Sequence, residues 1–421
     1  MAAGHTLGNI VIAGGGLAGA TAARTLRSEG YTGAIVLLGS ELHHPYLRPP
    51  LSKEYLLGKE EEDKVPVVPP GWYAENDVDL RLGVTVTSIG PAERTVLLSD
   101  GTALSYTSLL LATGAAPRTI PLPGSELPGV STFRTLDDSR RLRRKLERGG
   151  KNVVMVGSGW IGMELAAAAA TYGNNVTLLG LEDIPLAGAI GPDLGRFFRS
   201  LHESHGVGFR LPASAREIVG KDGAVSGVVT DSGELIPADV VVLAMGVLPN
   251  TGLALTAGVE VDNGILTDAS LRTSEPGIFA AGDVANALHP FTGKHYRSEH
   301  WSNALNGGKV AAKAMLGQDA TLSTIPYFYT DQFDVSMEYS GFPDLAAGTE
   351  PVIRGSLERK EFIAFWQRDS RVVAGMSVNW PHQARPGAQK VIKALISGRT
   401  PVSADRLADG SAGLDQLLPE A

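Results

Sequence analysis

The sequence predicts an α/β protein in which one βαβ design is used twice and an α+β domain closes the chain. Three observations carry this. Residues 9–23 read NIVIAGGGLAGATAA and residues 152–166 read NVVMVGSGWIGMELA, so in both places a β-branched run meets a Gly-rich turn and an Ala-rich helical stretch. Each turn leads to a second strand at βαβ distance, AIVLL at 34–38 and NVTLL at 175–179. Parallel strands joined by right-handed crossovers follow. From about Leu322 the texture changes to Tyr/Phe-rich alternation (PYFYT from Pro326, EFIAFW at 361–366, VVAGMSV at 372–378). That pattern predicts an antiparallel sheet, and a helix near residues 389–397 packs on it.

The two turns divide the chain. Gly14 and Gly157 stand 143 residues apart, far beyond the ~20–50 residue period of a solenoid, so they belong to separate domains. A third apolar strand runs into a Gly-Asp turn at 277–284 (GIFAAGDV). It lies past the second unit, so the first domain resumes there. The expected division is 1–114 with 248–320, then 115–247, then 321–421.

Composition excludes several classes. The 421 residues contain no cysteine, which removes disulfide frameworks, thiolate zinc sites, iron-sulfur clusters and cysteine nucleophiles. No metal site is read. Net charge is −8, a poor balance for nucleic-acid binding. The opening residues lack a basic segment followed by an apolar core, and no run approaches the ~18 apolar residues of a membrane span. The expectation is a cytoplasmic protein with no membrane or nucleic-acid partner. Glycine is abundant at 51 of 421, about 12%, against ~7% in ordinary chains. Nucleotide-binding turns account for part of it.

In Gly14-x-Gly16-x-x-Gly19 the first glycine permits the tight turn. The second lets a pyrophosphate touch backbone, and the third lets helix and strand pack closely. Gly157-x-Gly159-x-x-Gly162 repeats the arrangement. Both helix N-termini then face anionic phosphates with free N–H groups. Two such sites imply two cofactors, and FAD plus a nicotinamide nucleotide is the economical pair.

Further motifs then carry a resemblance. PYLRPPLSK (45–53), LLATG (110–114), FRT (133–135), GVLPN (246–250), AGD (281–283) and EHWSN (299–303) stand in an order and spacing similar to that of ferredoxin reductases of the putidaredoxin reductase and biphenyl dioxygenase reductase type. These are glutathione reductase-like flavoproteins without the redox disulfide, built from two Rossmann-like domains and a C-terminal α+β domain. The resemblance runs from about residue 9 to Asp405–Asp409.

By this resemblance Gly14, Gly16, Ala18 and Gly19 hold the FAD pyrophosphate, and Glu41 takes the adenosine ribose. Gly282 and Asp283 sit at the ribityl chain. Arg48, Val86, Ala112 and Arg134 contact FAD, while Glu299 and Trp301 lie beside the isoalloxazine. Lys53 stands at the reactive edge, where a cation stabilises the anionic reduced ring, and Glu164 is its charge partner. Gly157, Gly159, Ile161, Gly162, Glu164, Glu182 and Gly246 face the nicotinamide nucleotide. Lys53, Glu164 and Trp301 are the expected catalytic residues. Plainer readings exist for some of these: a solvated Glu41, a core-packing Trp301.

Two departures from the family pattern stand out. Gly180 occupies the end of the second strand of the nicotinamide domain, where relatives have an acid, and the nearest acids are Glu182 and Asp183. No arginine follows until Arg196, so NADH is favoured over NADPH. The second departure is tyrosine at 327 and 329, where many relatives have tryptophan.

The implied reaction is hydride transfer from NAD(P)H to FAD, then release of single electrons. Without cysteine to store them, the electrons leave to an acidic iron-sulfur ferredoxin that feeds a haem monooxygenase or ring-hydroxylating dioxygenase. Residues 134–151 carry eight cations (Arg134, Arg140, Arg141, Arg143, Arg144, Lys145, Arg148, Lys151) against Asp137, Asp138 and Glu147. From Arg140 to Lys151 this is either the docking patch or a solvated helix face. A monomer or weak dimer is expected. The alternatives are a self-contained NAD(P)H:quinone, oxygen or monodehydroascorbate reductase, or a redox-controlled binding protein like apoptosis-inducing factor.

Overall fold

The computed structural model describes residues 8–381 and 387–418; the opening residues used above to read localisation lie outside them. The described chain forms two compact units. One contains residues up to Leu47, Glu62–Ala116 and Leu248–Pro326, and the other Arg48–Glu61, Pro117–Val247 and residues from Tyr327 onward.

In the first unit the apolar run Asn9–Ala13 is the middle strand of a five-stranded parallel sheet. The order is Ile278–Ala280, Ser108–Leu111, Asn9–Ala13, Ala34–Gly39, Val78–Leu82. Alternation divides that run between two cores. Ile10 and Ile12 join a cluster with the helix Leu17–Ser28, whereas Val11 and Ala13 join one with Ile89, Val96 and Ala254. Both faces are covered, which is why the strands read as continuous hydrophobic runs. Helix Leu17–Ser28 meets helix Trp301–Met315 at Gly308, where a Cβ would lie 2.4 Å from the Ala18 carbonyl oxygen. Only glycine allows that approach.

The second unit repeats the parallel design, in the order Gly208–Arg210, Asn175–Leu179, Asn152–Val156, Val240–Leu243, Val130–Thr132. The expected C-terminal sheet is present and antiparallel: Tyr327–Gln332, Val335–Gly341, Arg371–Val378, Glu361–Arg368, Val352–Ser356. Helix Ala388–Gly398 buries Val391, Ile392, Leu395 and Ile396. The two sheets of this unit share one core, because Met155, Met163 and Phe198 cluster with Met337, Phe362 and Trp366.

Residues 48–61 join this second unit through buried Leu51 and Leu56, the latter inside the shared core. Ser139 Oγ donates to the Leu51 carbonyl at 2.6 Å and Tyr172 Oη to that of Leu56 at 2.8 Å. The neck of the excursion is closed in the first unit, where the Leu47 amide donates to the Val65 carbonyl at 2.7 Å. Among the described residues no helix is long and apolar enough to cross a membrane.

Gly308→Ala is expected to cost about 1–3 kcal/mol of stability through overpacking, read as a lower denaturant midpoint of the holoprotein. An unchanged midpoint would show that the helices do not approach so closely.

Candidate functional site: two glycine turns and a buried ion pair

The three glycines of each turn perform the same three tasks. Gly14 has φ +131°, its amide donates to the Leu38 carbonyl at 2.9 Å, and a Cβ there would fall 2.0 Å from the Ala112 carbonyl oxygen. Gly157 has φ +124°, donates to Leu179 at 2.8 Å, and would place a Cβ 2.2 Å from the Ala244 carbonyl. Gly19 and Gly162 each seat a helix on its own turn, with Cβ positions 2.1 and 2.0 Å from the oxygens of Gly14 and Gly157. Gly16 and Gly159 differ from all of these. Each is the extended residue before its helix, has no side-chain cap, and would direct a Cβ into space holding no atom within 4 Å. Both helices thus begin without a side-chain cap beside a glycine that another group can approach closely, the arrangement that receives an anion.

Around the first turn the structure gathers several expected residues. Ala112 closes the turn, its amide donating to the Ala13 carbonyl at 2.8 Å. Ala18 is buried, with its Cβ 3.1 Å from the Cβ position of Gly282, so the Gly282–Val284 turn bearing buried Asp283 abuts the first helix. Glu41, past the second strand, accepts from Tyr46 Oη at 2.7 Å, which orients the carboxylate. Glu299 pairs with Arg297 at 2.6 Å, and Arg297 also donates to the Asp283 carbonyl at 3.3 Å. His300 precedes the helix that half-buried Trp301 begins. Burial pushes the His300 imidazole down to about 4 against the opposing pull of the Asp283 carboxylate, so it is neutral at physiological pH. Val86 opens the small sheet Val86–Gly90, Thr95–Leu98, Ala103–Ser105 and is half buried against the Ile89–Val96 core.

In the second unit Lys53 and Glu164 meet. Lys53 Nζ donates to Glu164 Oε2 at 2.9 Å, and the side chains are only 6% and 4% exposed. Ser52 Oγ donates to the same oxygen, while Thr330 Oγ1 donates to Oε1 at 2.6 Å. A buried carboxylate needs such company, since its unpaired burial would cost several kcal/mol. Lys53 also donates to the Pro49 carbonyl at 3.2 Å and stands 5.3 Å from the centre of the Tyr329 ring. Burial, reinforced by the Glu54 and Asp331 carboxylates, pushes the Tyr329 phenol up to about 12. A cavity of about 600 Å³ opens beside the pair, lined by Leu57, Lys59, His205, Phe333 and Asp334. Arg48 donates to the Arg134 carbonyl, and Arg134 is held in turn by the Thr135–Asp138 capping box of helix Leu136–Leu146, its amide donating to Asp138 at 3.0 Å.

Gly157, Gly180 and Gly246 lie past the carboxyl ends of neighbouring parallel strands, the edge where open α/β sheets bind ligands. Ile161, 45% exposed, borders the Gly159 opening from the helix's first turn. Gly180 has a steric origin, because a Cβ there would lie 2.2 Å from Ser158 Oγ and 2.9 Å from Leu211. A side chain at the strand end would have to displace Ser158 and Leu211; Glu182, exposed two residues later, is the nearest carboxylate.

Sequence reasoning did not single out Ser52, Thr330, Tyr46 or Ser158. Ser52 stands beside Lys53 and Thr330 beside the aromatic run, but the contacts that give them roles span more than 100 residues, and no local pattern announces those.

Residues 8–308 match the pyridine nucleotide-disulphide oxidoreductase family, and residues 327–418 match the family described as reductase C-terminal. The chain is 38% identical to the ferredoxin–NAD(+) reductase component of the anthranilate 1,2-dioxygenase system of Burkholderia cepacia, over 97% of this chain and 98% of that protein. It is 37% identical to a probable ferredoxin reductase of Castellaniella defragrans, over 93% and 95%. Among solved structures, the covalent putidaredoxin reductase–putidaredoxin complex superposes with a TM-score of 0.93 at 33% identity, covering 98% of both chains. This chain belongs to the pyridine nucleotide-disulphide oxidoreductase family.

Proposed function

We propose that the protein is an FAD-dependent NAD(P)H:ferredoxin oxidoreductase that takes hydride from NADH and delivers single electrons to a small iron-sulfur ferredoxin serving an oxygenase. The observation that carries this is the duplicated glycine turn, each with an uncapped helix facing open space, in one cysteine-free chain with a buried lysine–glutamate pair. Two relatives are named as ferredoxin reductases, and the structural neighbour is a reductase joined to putidaredoxin.

In this assignment residues 1–114 and 248–320 form the FAD-binding domain, 115–247 the NAD-binding domain and 321–421 the C-terminal domain. The residues present fit both groups. Gly14 makes the turn that lets Gly16, Ala18 and Gly19 bring backbone to a pyrophosphate, Glu41 is oriented for ribose hydroxyls, and Asp283 with Gly282 sits beside Ala18 for the ribityl chain. Arg48, Val86, Ala112, Arg134, Glu299 and Trp301 complete the FAD contacts. Gly157, Gly159, Ile161, Gly162, Glu182 and Gly246 hold the nicotinamide nucleotide, with Glu182 taking its adenosine ribose.

When bound, the flavin accepts a hydride and releases electrons one at a time. What the chain contributes is position and charge. Lys53 keeps a fixed cation at the reactive edge, and Glu164 keeps that cation desolvated but paired. No group in the chain stores electrons as a dithiol, so they pass to a separate carrier. The protein acts in the cytoplasm as a monomer or weak dimer.

The basic helix serves as the docking face for an acidic ferredoxin. Arg140 and Arg141 are bound by Asp137 and Asp138 of their own helix, which leaves exposed Arg144 and Arg148 as the cations to test.

Purified holoprotein with NADH is expected to reduce cytochrome c rapidly only when a ferredoxin is added, and to prefer NADH to NADPH. Equal turnover without ferredoxin would instead identify a self-contained reductase. Lys53→Met should slow flavin reduction by NADH about tenfold to hundredfold in stopped flow, the worth of one charged hydrogen bond, and wild-type rates would refute the role. Arg144→Glu with Arg148→Glu should raise the ferredoxin KM severalfold at low ionic strength, with the difference fading in high salt. An unchanged low-salt KM would place docking elsewhere.

A further inference from the structure

The hydrogen bonds of the second unit continue beyond Lys53 and Glu164. Thr330 Oγ1, which donates to Glu164 Oε1 at 2.6 Å, lies 3.1 Å from Gln332 Nε2, and Gln332 Oε1 lies 2.8 Å from His202 Nε2. Thr330 and Gln332 are two apart on the strand Tyr327–Gln332 and share its inner face, while Asp331 between them lines the neighbouring cavity. Glu164, Thr330, Gln332 and His202 are 4%, 1%, 1% and 0% exposed.

The direction of this chain follows from donor chemistry. An ionised carboxylate only accepts, so Thr330 commits its one proton to Glu164. Its oxygen must then accept from the Gln332 amide N–H, and the Gln332 carbonyl must accept from His202 Nε2–H. His202 is thereby fixed as the neutral Nε2–H tautomer. Its Nδ1 agrees with this, being buried with no hydrogen-bond partner, a place for a lone pair and not for a proton. Burial among the rings of Phe209 and Phe333 also holds His202 down to about 4 against the pull of Gln332. All donors point toward Glu164, so each bond polarises the next. Packing alone does not call for this arrangement, since apolar side chains of similar volume fill such space without desolvating polar groups.

We infer that Thr330, Gln332 and His202 are positioning residues for the Lys53–Glu164 pair: a one-way buried run of hydrogen bonds that holds Glu164 with Oε2 turned to Lys53, and so fixes the cation that tunes the flavin. This rests on the placement of Lys53 at the flavin proposed above. These three residues act through Glu164.

The test uses holoprotein and the variants Thr330→Val, Thr330→Ser, Gln332→Leu, Lys53→Met and Glu164→Gln. Thr330→Val removes the hydroxyl at constant volume, and Thr330→Ser keeps it while losing a methyl. Expected for Thr330→Val is a roughly tenfold slower flavin reduction at saturating NADH with little change in KM. The flavin midpoint potential, read by spectroelectrochemistry, should shift in the same direction as in Lys53→Met. Thr330→Ser should restore both, whereas a purely structural role would leave it at least as impaired as the valine variant. Nitrogen-15 histidine spectra should show His202 as the Nε2–H tautomer at neutral pH, and Gln332→Leu should abolish that preference. Wild-type rate and potential in Thr330→Val, with Lys53→Met and Glu164→Gln impaired, would overturn the chain alone. Silent Lys53→Met and Glu164→Gln variants would overturn the flavin-edge placement, and the positioning role with it.

Discussion

A carboxylate removed from water must have its lone pairs answered, and in the second unit that demand is made by Glu164. Two segments far from it in sequence supply the answer: Ser52 and Lys53 from the excursion at 48–61, and Thr330 from the C-terminal sheet. Each partner is itself buried, so none can withdraw without exposing the charge to an apolar surrounding. The ion pair therefore does two jobs. In the proposed assignment it fixes a cation for chemistry, and it ties together a βαβ fold and an antiparallel sheet that share a single core.

The glycine turns show what a linear pattern can disclose. Gly14, Gly16 and Gly19 act within one turn, and their three constraints, positive φ, open approach and close helix packing, all concern near neighbours. A six-residue motif with a strand before it and a helix after it therefore reports them fully, and the parallel sheets follow. The C-terminal sheet was legible for the same reason, because alternation is local. The rest was not. Gly180 reads as a missing acid, and only the fold brings Ser158 Oγ to 2.2 Å from its Cβ position. Thr330 looked like the end of an aromatic run, and its meaning lies in a carboxylate 166 positions earlier. The partner of Lys53 was found only through resemblance, since no spacing rule links residues 53 and 164.

The duplicated turns are nearly the same object used twice, down to Cβ clashes of 2.0 and 2.2 Å at the first glycine and 2.1 and 2.0 Å at the third. They diverge in what stands around them. The first has an acid held by a tyrosine, and Asp283 against its helix. The second has an exposed isoleucine and a strand end where Ser158 and Leu211 crowd the glycine. In the proposed assignment the shared backbone serves what two dinucleotides have in common, and the surroundings carry the difference.

The assignment of residues 48–61 to the second unit bears on how the chain is made. Leu56 is among the first residues synthesised that belong to that unit, yet the core it enters is completed by Trp366, Met376 and Val378. Until those last strands leave the ribosome, the segment has no finished place to dock, and an apolar stretch waits in the open. The chain also passes between the units five times. Neither unit can be cut out as one continuous fragment, so a nascent chain released before Pro326 holds parts of both units and the whole of neither.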